Sequence, residues 1–286
     1  MNFVYLPQSL VETAEGAAQY FKDDRGIGTF RVEQAVDPNL SYRPTLQAMT
    51  ADHYYLCIEV NESPYPGILE PVVLDCVTQG LPVKLYVAFP ASPLPPDYKT
   101  RVDRARNHGV GVIEVSPTRV QIIHPPLPLS LASLRPRQKS EFPPRYRSAL
   151  ADAENTFKGG SPSQGCLLIQ AEIEQLSRKI AKKTKTKALW RTLKPGETAP
   201  RLRDNTPWAK VMEMLIDHLD HSKCNSPDKS LLNRIAGMTA HRNEAGHKPN
   251  TLKALIKRDR EARTRFESAV DTLYDLIVAS RHLRIT

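Results

Sequence analysis

The spacing of apolar residues changes midway along this chain, and the change limits the folds that the chain can adopt. In the first 124 residues, short runs with strand-like alternation stand between stretches with the three-to-four-residue spacing of helices. After about residue 146 the strand-like runs stop and only helical spacing follows. Alternating strands and helices predict an α/β layer with a mixed sheet, whereas consecutive helices predict a bundle. We therefore expect an α+β/α two-domain chain, with the mixed-sheet domain first and the all-α helical bundle second.

A proline-dense segment marks the predicted boundary. Residues 125–145 contain six prolines and little regular periodicity, which is typical of a stiff linker. We expect an α/β domain at 1–124, a linker at 125–145 and a helical bundle at 146–286. The predicted strands are 29–36, 43–49, 54–60, 83–89, 110–115 and 119–123. The predicted helices are 9–22, 68–79, 98–108, 164–187, 208–219, 229–240 and 252–280.

Charge is divided unevenly between the two halves. Residues 136–286 carry 29 Lys and Arg against 17 Asp and Glu, a balance of +12, whereas residues 1–135 carry 11 against 14, a balance of −3. A polyanion is therefore expected to bind the C-terminal half. The alternative is a solvated, lysine-rich helical surface with no such partner.

Several features predict the compartment. No run of eighteen apolar residues is present, and the first residues lack the basic start and apolar stretch of a signal peptide. The four cysteines form no CxxC pair, so free thiols are a better explanation than disulfides or a zinc site. We expect a cytoplasmic protein with no membrane segment, no cofactor and no metal.

Arg101/His108, Arg234/His241 and Arg242/His247 are Arg–His pairs in which four to six residues stand between the two side chains. Only in the last pair does a polar residue, Asn243, follow the arginine directly at a predicted helix end. Asn243 and His247 are four residues apart and would share a helix face. A histidine titrates near neutrality and can take the 2′-OH proton of RNA, while an arginine can hold the phosphate. Alternatively, both cations only neutralise a helix C-terminus.

The segment Arg242-Asn243-Glu244-Ala245-Gly246-His247, after one helix and before the last one, resembles the HEPN family. The resemblance covers residues 147–286 and implies a ribonuclease site at Arg242, Asn243 and His247. It further implies RNA as substrate and a homodimer through the C-terminal domain, with two copies of the motif facing each other. A toxin or antiphage effector with an antitoxin or sensor partner is a further implication. Some members of this family only bind nucleic acid.

A second motif lies in the first half. Pro44-Thr45, followed by Glu59-x-Asn61 on the next strand, resembles the PD-(D/E)XK restriction-endonuclease-like fold over residues 10–125. That fold holds a metal with an Asp and a Glu and places a Lys beside the attacking water. Here Thr45 stands at the Asp position and Asn61 at the Lys position, beside Glu59. We therefore expect an inactive domain that serves sensing, docking or dimerisation.

These expectations combine into one main reading and two alternatives. The main reading is a metal-independent endoribonuclease of HEPN type, regulated by the N-terminal domain. One alternative is a non-catalytic nucleic-acid-binding or scaffold protein. The other is a metal-dependent DNase that uses Glu59, with Asp52 and Lys84 as replacements for the missing Asp and Lys.

Overall fold

The fold is taken from a computed structural model, which describes residues 1–38, 40–132, 134–194, 196–197, 200–224, 226–241 and 250–284. The chain forms two compact units. The first comprises Met1–Leu134, Lys158–Gly160 and Lys248–Glu261, and the second comprises Arg135–Phe157, Ser161–His247 and Ala262–Thr286. The main division falls inside the segment predicted as a linker. However, the first unit also includes Lys158–Gly160 and Lys248–Glu261, which a single boundary does not predict. Independent folding of the two halves stays a prediction.

The first unit is built on a mixed sheet. Its strands lie in chain order across the sheet: β1 Arg31–Val32, β2 Leu46–Met49, β3 Tyr55–Val60, β4 Val83–Pro90, β5 Gly111–Ser116 and β6 Arg119–His124. β1, β2 and β3 pair antiparallel, β3, β4 and β5 pair parallel, and β6 returns antiparallel to β5. The mixed sheet predicted for the N-terminal half is thereby confirmed.

Helices cover both faces of the sheet. The N-terminal helix α1 (Val11–Arg25) packs on one face, while α2 (Leu69–Gln79) and α3 (Tyr98–Asn107) pack on the other. Successive strand residues point to opposite faces, so Ile58 and Val60 contact the α1 core, and Cys57 lies in the core of the other face. Glu59 alternates with Ile58 and Val60 and therefore shares the face of Cys57.

Two strands are shorter than predicted. The run 29–36 forms only the two-residue strand β1, because Glu33 takes a positive φ of 51° that interrupts an extended backbone. The Glu33 carboxylate instead accepts hydrogen bonds from the backbone N–H groups of Val4 and Tyr5, at 2.9 and 2.8 Å. In the run 43–49, the strand begins only at Leu46. The other predicted strands and helices of this half agree with the structure to within a few residues.

The C-terminal half is helical in the described residues. Its helices are α5 (Pro144–Lys158), α6 (Pro162–Thr186), α7 (Trp208–His218), α8 (Lys229–His241) and α9 (Leu252–His282). α9 spans 31 residues, and its first part belongs to the first compact unit. Four of these helices were predicted, and α5 was not.

The proline-dense segment is packed in several places. It contains the short helix α4 (Leu129–Ala132), and Leu129, Leu131 and Phe142 are buried. The Leu127 N–H donates to the Gly109 carbonyl oxygen at 2.8 Å. Pro144 opens α5, a position where the missing proline N–H costs no hydrogen bond.

Two further findings concern the chain as a whole. Among the helices of the described residues, none is long and apolar enough to cross a membrane. All four cysteines are free thiols; Cys224 is partly exposed, and the other three are buried.

Candidate functional site

The residues predicted for ribonuclease chemistry, Arg242, Asn243 and His247, lie outside the described residues. The elements on either side of them are described. α8 ends at His241, directly before the motif, and α9 begins at Leu252, shortly after it. Along the sequence, the motif stands between the described residues of α8 and those of α9.

The competing Arg–His pairs are held by other contacts. Arg101 donates to the Asp97 carboxylate at 2.6 Å and to the Ser63 hydroxyl at 2.7 Å, and the Nδ1 atom of His108 lies 2.5 Å from the Tyr65 hydroxyl. On α8, the Arg234 guanidinium forms an ion pair with Asp275. Three of these four side chains thus have structural partners, and the side chain of His241 is outside the description.

The residues of the second motif share one face of the sheet. The β2–β3 register pairs Leu46 with Ile58, so the same register places Thr45 opposite Glu59. The Val60 N–H donates to the Thr45 hydroxyl at 3.0 Å, which fixes this side chain at the start of β2. Asn61 follows directly after β3, and its side-chain oxygen accepts a hydrogen bond from the Ser63 N–H at 3.1 Å.

These three residues line one cleft of about 450 Å³. Arg43, Glu33 and Glu62 also line it, so the cleft contains an arginine and three carboxylates. The Glu33 carboxylate is occupied by two backbone N–H groups, as described above. The described residues contain no group of three or more His, Cys, Asp or Glu side chains that could hold a metal ion.

Burial controls the charge of Glu59. Desolvation raises the pKa of its carboxyl to about 7, although hydrogen bonds from the Tyr42 hydroxyl and the Thr45 backbone act in the opposite direction. The Tyr42 hydroxyl donates to Glu59 Oε2 at 3.1 Å. The pKa of Tyr42 is itself raised well above its usual range, by burial first and by Glu59 second. A carboxyl that retains its proton near neutral pH is a poor ligand for a divalent cation.

The proposed replacements for the missing Asp and Lys do not lie beside Glu59. Lys84 pairs with Leu56 across the β3–β4 ladder, three residues from the position of Glu59, or about 10 Å along the strand. The Lys84 ammonium instead binds the Asp52 carboxylate at 2.9 Å and lies 4.4 Å from the centre of the Tyr54 ring. Neither Asp52 nor Lys84 lines the cleft of Glu59.

Sequence reasoning missed a buried polar cluster in the first unit. Asp259, near the start of α9, is only 1% exposed, and its carboxylate accepts hydrogen bonds from the Tyr54 hydroxyl at 3.1 Å and the Ser130 hydroxyl at 2.7 Å. Arg258 donates to the same carboxylate at 2.8 Å. Burial, and then the charge of Asp259, raises the pKa of Tyr54. No local pattern could reveal a contact between residues 205 positions apart.

Comparison with known proteins adds no further assignment. No protein-family model, no curated protein and no solved structure matches this chain. Function therefore has to be argued from its own residues.

Proposed function

We propose that this chain is a metal-independent endoribonuclease of HEPN type, with Arg242, Asn243 and His247 as its site. The observation that carries the proposal is the Arg-Asn-x-x-x-His spacing between α8 and the last helix, α9. It is supported by the +12 balance of residues 136–286, which favours a polyanionic substrate. The other two Arg–His pairs are weaker candidates because their described side chains have structural partners.

The proposed reaction needs only the RNA and the side chains of the motif. His247 takes the proton of a 2′-hydroxyl, and the 2′-oxygen forms a bond to the adjacent phosphorus. The bond to the 5′-oxygen breaks, and this oxygen leaves with the proton that His247 has taken up. The products carry a 2′,3′-cyclic phosphate and a 5′-hydroxyl. Arg242 balances the charge on the phosphate oxygens, and Asn243 orients the histidine or the phosphate. A homodimer would bring two copies of the motif together.

For the first unit, we propose a restriction-endonuclease-like fold that has lost catalysis and serves regulation. Support comes from the order of one helix, three antiparallel strands, a helix and a parallel strand, with Thr45 facing Glu59 across β2 and β3. Thr45 and Asn61 cannot supply the missing carboxylate and ammonium, and the raised pKa of Glu59, about 7, leaves much of this carboxyl protonated at neutral pH. Such a domain could dock an antitoxin or sense a trigger, which suits a cytoplasmic toxin or antiphage effector.

Incubation of the purified protein with total RNA in EDTA tests the ribonuclease. We expect cleavage that leaves 2′,3′-cyclic phosphate ends, and a loss of about 10²–10⁴-fold in Arg242→Ala and His247→Ala. Arg234→Ala and His241→Ala are matched controls from a neighbouring Arg–His pair and should cut like wild type. Equal cleavage by all five proteins would place the site elsewhere. RNA left intact by all five, together with normal growth on expression, would favour a non-catalytic scaffold.

A further inference from the structure

The C-terminal half of α6 carries an unbalanced column of lysines. Lys179, Lys183 and Lys187 follow one another at four-residue spacing, and all three are exposed. Four residues of helix rise by about 6 Å, so Lys179 and Lys183 lie on one side of α6, and Lys187 follows directly after the last residue of this helix. We call these three residues the α6 lysine column.

The lysines of this column have no carboxylate partner among the residues that the structure describes. In the part of the chain that the structure describes, no carboxylate pairs with Lys179 or Lys183. The Lys187 ammonium donates to the Leu283 carbonyl oxygen at 2.7 Å, a neutral acceptor that leaves the charge in place. The neighbouring cations differ: Arg178 pairs with Glu174, and Lys182 pairs with Asp204, both at 2.6 Å. Lys185, on the same segment but outside the column, donates to the Pro200 carbonyl oxygen at 2.8 Å, so the column and Lys185 together carry the charge that no described carboxylate neutralises.

The column ends at a basic cavity. Lys187 lines a cavity of about 690 Å³ together with Lys223, Cys224, Ser226, His282 and Arg284, and no Asp or Glu of the described residues lines it. A cavity of this size can hold a nucleotide.

The cations around the cavity exceed what the fold itself requires. α6 and α9 both end at this cavity, and each C-terminus carries roughly half a negative charge. Asp220 pairs with Lys223 at 3.2 Å and neutralises one cation. The two helix ends together balance about one more cation, so within the described ranges one of Lys187, Lys223 and Arg284 remains without a counter-charge. Lys179 and Lys183 add to this excess, and an external anion would relieve it.

We propose that the α6 lysine column binds successive phosphates of a single-stranded RNA and that the cavity holds the nucleotide at the end of that track. This inference rests on the proposed function for its choice of RNA as the polyanion. Regular cations at helical spacing suit a flexible phosphate backbone, whereas the cavity, which is open to solvent, has room for one base and sugar. Binding here is independent of sequence, because phosphates carry no base information.

Fluorescence anisotropy with labelled oligouridylate tests the track in a His247→Ala background, where cleavage cannot interfere. The test variant is Lys179→Gln/Lys183→Gln/Lys187→Gln. Its control is Lys139→Gln/Lys182→Gln/Lys210→Gln, which removes the same charge from lysines paired with Glu154, Asp204 and Glu213. We expect the test variant to bind about tenfold more weakly at low salt. The slope of log affinity against log salt should become shallower by about 2, since each lost phosphate contact contributes roughly 0.7. The control should retain the wild-type slope.

The cavity is tested separately with Arg284→Gln and with uridine monophosphate as competitor. Uridine monophosphate should displace the end of the oligonucleotide from wild type but not from Arg284→Gln. Equal weakening by the two triple variants would mean that only net charge matters, and unchanged binding by the test variant would place the phosphates elsewhere. Binding to phosphatidylserine vesicles but not to RNA would also overturn the proposal. If the track binds RNA but wild type leaves RNA uncut, the proposed function fails and this inference stands. If wild type cuts RNA and the test variant binds and cuts RNA as well as wild type does, the proposed function stands and this inference fails.

Discussion

Single residues explain why the cleft of the first unit does not behave like a working nuclease site. Glu59 stands where a metal-binding carboxylate is expected, but it is half-buried and accepts a hydrogen bond from Tyr42. Thr45 faces it with a hydroxyl that is already bonded to the backbone of β3. The hydrogen bonds satisfy the carboxyl within the protein, so Glu59 is better suited to hold β2 and β3 together than to hold a metal.

The protonation of Glu59 predicts a specific pH dependence of stability. Its pKa in the folded state, about 7, lies above the ordinary value of 4.5, so the folded state favours the protonated carboxyl. The stabilisation is complete below about pH 4.5 and is lost as the pH rises through 7. Glu59→Gln, which stays neutral, should therefore increase the free energy of unfolding at pH 8, by on the order of 3 kcal/mol at most. Urea titrations at several pH values measure this effect.

Glu62→Gln is the matched control, because Glu62 is an exposed carboxylate that lines the same cleft. It should leave both the stability at pH 8 and its pH dependence close to those of wild type. If Glu59→Gln is instead less stable than wild type at pH 8, the ionised carboxylate is the stabilising form and the interpretation of this site is wrong.

At the scale of elements, helices and strands could be predicted where the spacing of apolar residues follows one regular period. The prediction failed where prolines or turns interrupt that spacing. β3, β4 and α6 carry clear two-residue or helical spacing and appear where expected. α5 was missed because two prolines at its start resemble a linker, although its buried residues keep helical spacing: Tyr146, Leu150, Ala153 and Phe157. The shared sheet face of Thr45, Glu59 and Asn61 could also be predicted, because alternate residues of a strand point to the same face. Tyr42 could not be linked to Glu59 in this way, because it lies outside any strand.

The start of α9 depends on Asp259 for its attachment within the first unit. Asp259→Asn removes the charge that the Tyr54 hydroxyl, the Ser130 hydroxyl and Arg258 all contact. Because hydrogen bonds to a buried charged group are strong, we expect a loss of about 2–4 kcal/mol in the free energy of unfolding. Chemical denaturation followed by circular dichroism measures it.

A second carboxylate on α9 provides the comparison. Asp271 is half-exposed and binds Arg137 at 3.1 Å, so Asp271→Asn should cost no more than about 1 kcal/mol. Equal losses in the two variants would show that burial adds nothing to the Asp259 contacts.

At the scale of the whole molecule, the change of pattern near residue 125 separates a sheet from a helical region, but it does not describe the compact units completely. Residues 248–261 follow the predicted ribonuclease motif in sequence and yet belong to the first unit. Residues so far apart in sequence belong to one unit because of contacts such as that between Tyr54 and Asp259. Composition and periodicity do not predict such contacts. The uneven charge, in contrast, could be read directly from the sequence.

Because residues 248–261 belong to the first unit, we predict that residues 1–134 alone form an incomplete unit. Without residues 248–261, the Tyr54 and Ser130 hydroxyls lose Asp259 as their acceptor. A fragment of residues 1–134 should therefore be less stable than the same fragment joined to residues 250–261 by a Gly/Ser linker of about 20 residues. We expect a difference of at least 2 kcal/mol in the free energy of unfolding, because the fragment loses the hydrogen bonds that these two hydroxyls donate to a buried charged group. The joined fragment that carries Asp259→Asn should be only slightly more stable than residues 1–134 alone. Equal stability of the fragment with and without residues 250–261 would show that the start of α9 is dispensable for the sheet, and a boundary within 125–145 would then be sufficient after all.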